Sequence, residues 1–148
     1  MKKLIYFLIL TLLILSTTSC VPTKYETAKD KLESAGYHVQ VYNEDKYDMS
    51  VFEKDFGYVG VTTVITAFIN SGERIEHYVN IIYFDTIKHA KEGYERVTYL
   101  DDVSPIKDET VYGFYRSGKC VYYGDQAGIK ALSKWKIYIC KKYCFNIA

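Results

Sequence analysis

In the stretch YETAKDKLESAGY, Tyr25, Ala28, Leu32 and Ala35 recur at helical spacing with charges between them, and Gly36 stands where a helix would end. The spacing predicts a helix over Lys24 to Ala35. From Tyr37 the period changes: Tyr37, Val39 and Val41 alternate with His38, Gln40 and Tyr42, which is strand periodicity. The segment NEDKYDMSVFEKDFGY mixes charges and aromatics without a clean period and reads as a loop with one helical turn. Gly60 to Ile69 and Arg74 to Phe84 are rich in β-branched and aromatic residues, and the intervening NSGE supplies turn chemistry, so these two runs predict a hairpin. Asp85 is placed to cap a second long helix over Thr86 to Tyr99, in which Ile87, Ala90, Tyr94 and Val97 repeat the helical spacing. After a polar loop at Asp101 to Lys107, two more strands, Thr110 to Arg116 and Lys119 to Tyr123, flank a turn at Ser117-Gly118. Asp125 is placed to cap a short helix ending near Ser133. This order of elements predicts an α+β fold, a two-layer sandwich of a mainly antiparallel sheet with helices on one face.

Ahead of these elements lies a different pattern. Met1-Lys2-Lys3 is followed by Leu4 to Leu15 (LIYFLILTLLIL), which carries no charge, and then by the small residues Ser16 to Ser19 and by Cys20. A positive start followed by a short apolar run is the pattern of a secretory signal. Twelve residues rise only about 18 Å as a helix against a hydrocarbon core of roughly 30 Å, which disfavours an uncleaved spanning segment. The stretch STTSC resembles a bacterial lipobox, in which the cysteine receives a diacylglyceryl thioether and becomes the new N-terminus. Thr17 departs from that pattern, since a lipobox usually carries Leu three residues before its cysteine. Thr17 and Ser19 also suit ordinary signal cleavage, and the alternative is therefore a secreted protein. The expected organisation is a signal peptide over residues 1–19, a lipidated Cys20 with a tether to residue 24, a single domain over 25–134, and a tail over 135–148.

Removing residues 1–19 leaves 129 of the 148, close to the commonest size for one domain, and takes two lysines with it. Seventeen basic residues then face 18 acidic ones, a balance that forms no phosphate-binding patch and excludes nucleic acid as a partner. The 16 tyrosines supply enough apolar surface for one core and exclude a disordered chain.

Candidate chemistry is sparse. Gly113 to Cys120 reads GFYRSGKC, one residue short of the phosphate-binding G-x-x-x-x-G-K-[ST] loop. A thiol supplies no hydroxyl for magnesium, and the following Val121-Tyr122-Tyr123 is strand-like where that motif needs a helix, so the stretch reads as a hairpin turn. Asp85, His89 and Glu92 share a helix face and are weak metal candidates, set against a simpler reading as an N-cap and a solvated face with Lys88 and Lys91 between them. Neither this trio nor any other motif implies a cofactor. His38 and His77 lie in strands with no partner fixed by the sequence. With Cys20 acylated, Cys120, Cys140 and Cys144 are the disulfide candidates, and their odd number forbids all three from pairing within one chain. Cys140 and Cys144 would lie about 13 Å apart in a strand, too far to bridge, and about 6 Å apart in a helix. No nucleophile elbow such as G-x-S-x-G is present.

The elements AKDKLESAGYHV, IIYFDTIKHAKEGYE and GKCVYYGDQAGIKAL resemble small, uncharacterised lipoproteins of low-GC Gram-positive bacteria over Tyr25 to Leu132. That resemblance implies a cell-surface lipoprotein, supports Cys20 as the lipidation site and carries over no catalytic residue. In the tail, Trp135, Ile137 and Ile139 alternate with lysines and tyrosine, the pattern of an added edge strand or of a segment lying on the membrane. The expectation is a lipid-anchored protein on the outer face of the cell membrane, a non-catalytic binding or structural module for an envelope protein, a peptide or a glycan. The alternative is a secreted enzyme using a histidine with a cysteine or a carboxylate.

Overall fold

The computed structural model describes residues 21–103 and 112–132. Helix α1 (Tyr25–Ser34) buries Ala28 and Leu32, the two apolar positions one turn apart on its inner face. It ends in a Schellman closure: Gly36, at φ +87°, donates to the Glu33 carbonyl, and Tyr37 donates to that of Leu32, both at 3.0 Å. Strand β1 (His38–Asn43) follows at once.

Helix α2 (Ser50–Phe56) occupies the segment expected to be a loop. Its start is fixed by the Ser50 N–H donating to Asp48 Oδ1 at 3.0 Å, and the half-buried Met49 and Phe52 fasten it to the domain. Two short turns anchored by so few apolar contacts leave no period to read.

Strands β2 (Val61–Ser71) and β3 (Arg74–Phe84) form the expected hairpin around Gly72 at φ +64°. Helix α3 (Ile87–Val103) then leads towards β4 (Gly113–Ser117) and β5 (Cys120–Gly124), and α4 (Gln126–Leu132) closes the described chain. The sheet order is β1-β2-β3-β5-β4 with every neighbouring pair antiparallel. The fold is therefore α+β around an antiparallel sheet.

The helices do not sit on one face. Alternate residues of the central strands feed two separate cores. Ile65, Ala67, Val79, Ile81, Tyr83, Cys120 and Tyr122 pack with Ala28 and Leu32 of α1 and Ile129 and Leu132 of α4. Val64, Ile82, Phe84 and Val121 pack with Ala90 and Val97 of α3 and with Tyr58 after α2. Helices thus cover both faces, and the two-layer expectation gives way to three layers. The uninterrupted apolar run Ile81-Ile82-Tyr83-Phe84 is buried throughout because neither face meets water.

The expected tether is also part of the folded body. Val21 is 1% exposed within the first core, the Tyr83 phenol donates to the Pro22 carbonyl at 3.1 Å, and Lys24 is already the N-cap of α1. Cys20, Cys140, Cys144 and the tail at 135–148 lie outside the described residues, as do the signal segment and most of the polar loop after α3. Among the described residues no helix is long and apolar enough to cross a membrane.

Candidate functional site

One end of the sheet gathers several of the residues singled out by sequence. The chain enters β2 through Gly60 at φ +71°, and leaves β3 at Asp85, whose N–H donates to the Gly60 carbonyl at 2.9 Å. Lys119, in the β4–β5 turn, donates from Nζ to the Asp85 carbonyl at 2.6 Å. The phosphate-loop look-alike is therefore a hairpin turn whose lysine is spent on backbone.

The N-cap of α3 is Thr86, not Asp85. Thr86 Oγ1 accepts the His89 N–H at 3.1 Å, while the Asp85 carboxylate turns to the His89 ring, with Oδ1 2.6 Å from Nδ1. That bond, chiefly, holds the Asp85 carboxyl below the usual carboxylate range. Gly60 is packed so closely that a Cβ there would overlap both the Asp85 carboxylate and the His89 ring. Of the three weak metal candidates, the fold joins Asp85 and His89 to each other and leaves Glu92 to Lys88, 3.8 Å away. Among the described residues no three His, Cys, Asp or Glu side chains converge as a metal site.

A second histidine–carboxylate pair spans 48 residues. His77 Nδ1 lies 2.8 Å from Asp125 Oδ2, and the other carboxylate oxygen accepts the Gly128 N–H at 2.7 Å. Asp125 thus caps α4, as its sequence position predicts, and orients His77 as well. A carboxylate only accepts, so in both pairs Nδ1 carries the shared proton. His38 instead stacks on Phe68, with ring centroids 5.9 Å apart.

Cys120 is the one cysteine among the described residues and is set up against nucleophilic chemistry. It is 2% exposed, donates from Sγ to the Ser117 carbonyl at 3.1 Å, and burial pushes its thiol up to about 11. Reactive cysteines require the opposite shift.

The exposed aromatics form a surface that the sequence did not announce. Phe56 (46% exposed) and Tyr99 (54%) flank Arg96, whose Nε donates to the Phe56 carbonyl at 3.0 Å and whose guanidinium lies 5.6 Å from the Tyr99 ring centroid. Phe56 also stacks on Tyr58 at 6.0 Å, with the rings inclined by 14°. An arginine bonded to the backbone of one exposed aromatic residue and lying against the ring of another has the composition of a binding hot spot. Tyr58, Tyr83 and Tyr122 are buried in the two cores and take no part in this surface. The only local signal for this surface was the dense aromatic and charged content around Phe56, which lacked a period.

Between the start of α1 and the β4–β5 turn runs an open cleft of about 350 Å³, lined by Lys24, Tyr25, Glu26, Thr62, Tyr83 and Lys119 among others. Neither histidine pair faces it. Comparison of the chain with protein-family models, with curated proteins and with solved structures finds no match.

Proposed function

We propose that the protein is a lipid-anchored extracytoplasmic module that acts by binding, through the surface of Phe56, Arg96 and Tyr99, and has no chemistry of its own. The observation that carries this reading is the N-terminal pattern of the chain. A lysine-led apolar segment and small residues end at Cys20, and the next residue, Val21, is already core. The partner class is an envelope protein, a peptide or a glycan, for which rigid aromatic rings beside an arginine supply contact area at small entropic cost.

The anchor is tested by intact mass and membrane partitioning of the protein from a bacterial host, beside a Cys20→Ala variant. The expected result is a diacylglyceryl mass and a membrane fraction, both lost in the variant. An unmodified protein in the medium refutes anchoring and leaves the secreted alternative.

A second reading, a secreted hydrolytic enzyme, draws on the two histidine–carboxylate pairs, since oriented imidazoles are the usual general bases. Both pairs also have structural work: Asp125 caps α4, and Asp85 fills the space against Gly60. Turnover of a generic ester or peptide substrate, lost on His77→Gln or His89→Gln while folding is retained, would establish this reading in place of the first.

A further inference from the structure

Resting on the reading of Phe56, Arg96 and Tyr99 as a binding surface, we infer that its partner is a lysine-bearing segment of peptide chain with apolar side chains between the lysines. Among the described residues seven large apolar side chains are between 42% and 63% exposed. Five of them, Tyr47, Val51, Phe56, Val59 and Tyr99, belong to the stretch around α2 or stand beside Arg96 on α3. No residue of α2 is fully buried, so the helix lies on the domain with apolar side chains turned to water. A concentration of this kind on a small domain marks a contact surface.

The rings are held in place before any partner arrives. Gly57, at φ +73°, ends α2: its N–H donates to the Glu53 carbonyl at 2.9 Å, and that of Tyr58 donates to the Phe52 carbonyl at 3.0 Å. The buried Tyr58 stacks on Phe56, and Arg96 holds the Phe56 carbonyl with its Nε 3.2 Å from where a Gly57 Cβ would lie. Arg96 therefore braces the surface, and little side-chain freedom is left to lose on binding.

The surrounding charge selects the partner. Residues 44–59 carry five carboxylates, Glu44, Asp45, Asp48, Glu53 and Asp55, against Lys46 and Lys54, a balance of −3. On α3 the charges of Glu95 and Arg96 cancel. All five carboxylates are exposed, and among the described residues none lies within ion-pair distance of a lysine or arginine. Such a surface repels polyanions, whereas an ammonium group is drawn both to the carboxylates and to the faces of the aromatic rings. Lysine also brings an apolar stem for those rings to cover. An uncharged glycan would engage the rings and leave the carboxylates with no charge to meet.

The test uses the full-length protein and three fluorescent probes read by anisotropy: a synthetic peptide alternating lysine with tryptophan and isoleucine, the same peptide with glutamate in place of lysine, and a neutral N-acetylglucosamine oligosaccharide. The expected result is binding of the lysine peptide that weakens about tenfold from low to high salt. Phe56→Ala or Tyr99→Ala is expected to weaken it about tenfold, and Glu53→Gln with Asp55→Asn about threefold. Ile75→Ala, at an apolar side chain 63% exposed in the β2–β3 hairpin, should have no effect. All these positions are exposed, and unchanged far-ultraviolet circular dichroism checks that each variant folds.

Lysine-peptide binding that is indifferent to Phe56 and Tyr99, or equalled by the glutamate peptide, overturns the inference. If the oligosaccharide or the glutamate peptide binds through Phe56 and Tyr99 in place of the lysine peptide, the partner class is wrong and the binding surface stands. If none of the three binds through them, both fall. A dimer dissolved by Phe56→Ala, or peptide binding gained only on deleting residues 135–148, assigns the surface to a second copy or to the chain's own tail and overturns an external partner.

Discussion

The Tyr83 phenol donates to the Pro22 carbonyl across 61 residues of chain, at 3.1 Å, and so fastens the first residues of the folded body to the end of the central strand β3. Burial also raises the Tyr83 phenol well above the ordinary tyrosine range, which keeps it a donor at every physiological pH. Replacing Tyr83 by Phe keeps the ring and removes the bond. The expected cost is about 1 kcal/mol, read as a lower urea midpoint with an unchanged slope. An unchanged midpoint would show that this contact is not holding the N-terminal residues.

Gly60 and Gly72 both have positive φ, yet their surroundings differ. A Cβ at Gly60 would strike Asp85 and His89, while a Cβ at Gly72 meets nothing within 4 Å. Gly72→Ala is expected to cost about 1 kcal/mol, the backbone penalty alone. Gly60→Ala adds overpacking and is expected to cost about 2 kcal/mol or more. Equal losses in thermal or urea unfolding would refute the close packing of the Asp85–His89 pair.

Gly93 sits inside α3, where propensity alone would make alanine better by about 1 kcal/mol. Its missing Cβ, however, is the space filled by the ring of Phe84, which is 3% exposed. Overpacking of this kind costs about 1–3 kcal/mol, so Gly93→Ala is expected to destabilise. Combining it with Phe84→Leu should cost less than the two single losses added together, a coupling that a double-mutant cycle measures. Stabilisation by the single change would mean that helix propensity wins.

Alkaline unfolding should report the buried phenols. Burial pushes Tyr58 up to about 12 from an ordinary 10.0. The unfolded chain releases this proton first, so the stabilisation present below pH 10 is lost as pH rises towards 12. Tyr58→Phe is expected to flatten the fall of stability across that window, as followed by urea midpoints at successive pH values. An unaltered slope would assign the alkaline loss to other groups.

Cys120 should be chemically silent while the domain is folded. With its thiol pushed up to about 11 and 2% of its surface exposed, alkylation at pH 8 is expected to modify it only after urea is added. Peptide mapping by mass reads this directly. If Cys120 stays blocked in urea until a reductant is present, it is held in a disulfide and the buried thiol is not the native form.

The parts of the fold legible from sequence are the local ones. Helix α1 with its Gly36 stop, the β2–β3 hairpin, the β4–β5 turn and the Asp125 cap of α4 all follow from neighbours within a few residues. Helix α2 was obscured because Met49 and Phe52 are its only side chains packed on the second core, too few positions to set a period. That Thr86 caps α3 in place of the expected Asp85 depends on where the His89 ring points, which the sequence around Asp85 does not reveal. The candidate site was less legible still. His77 and Asp125 meet only because β3 pairs with β5, and Arg96, which reaches Tyr99 one turn along its own helix, meets Phe56 only through the tertiary fold.

The strands, helices α1, α3 and α4, the antiparallel α+β class and the apolar segment Leu4 to Leu15 ahead of Cys20 are legible in the sequence, because each depends on periodicity or composition along a short length of chain. Only the tertiary structure decided that helices cover both faces of the sheet, that Val21 is core and not tether, and which aromatics remain in water. These depend on which distant surfaces meet. In β3 both faces of the strand are apolar, and local alternation cannot say what will cover each of them.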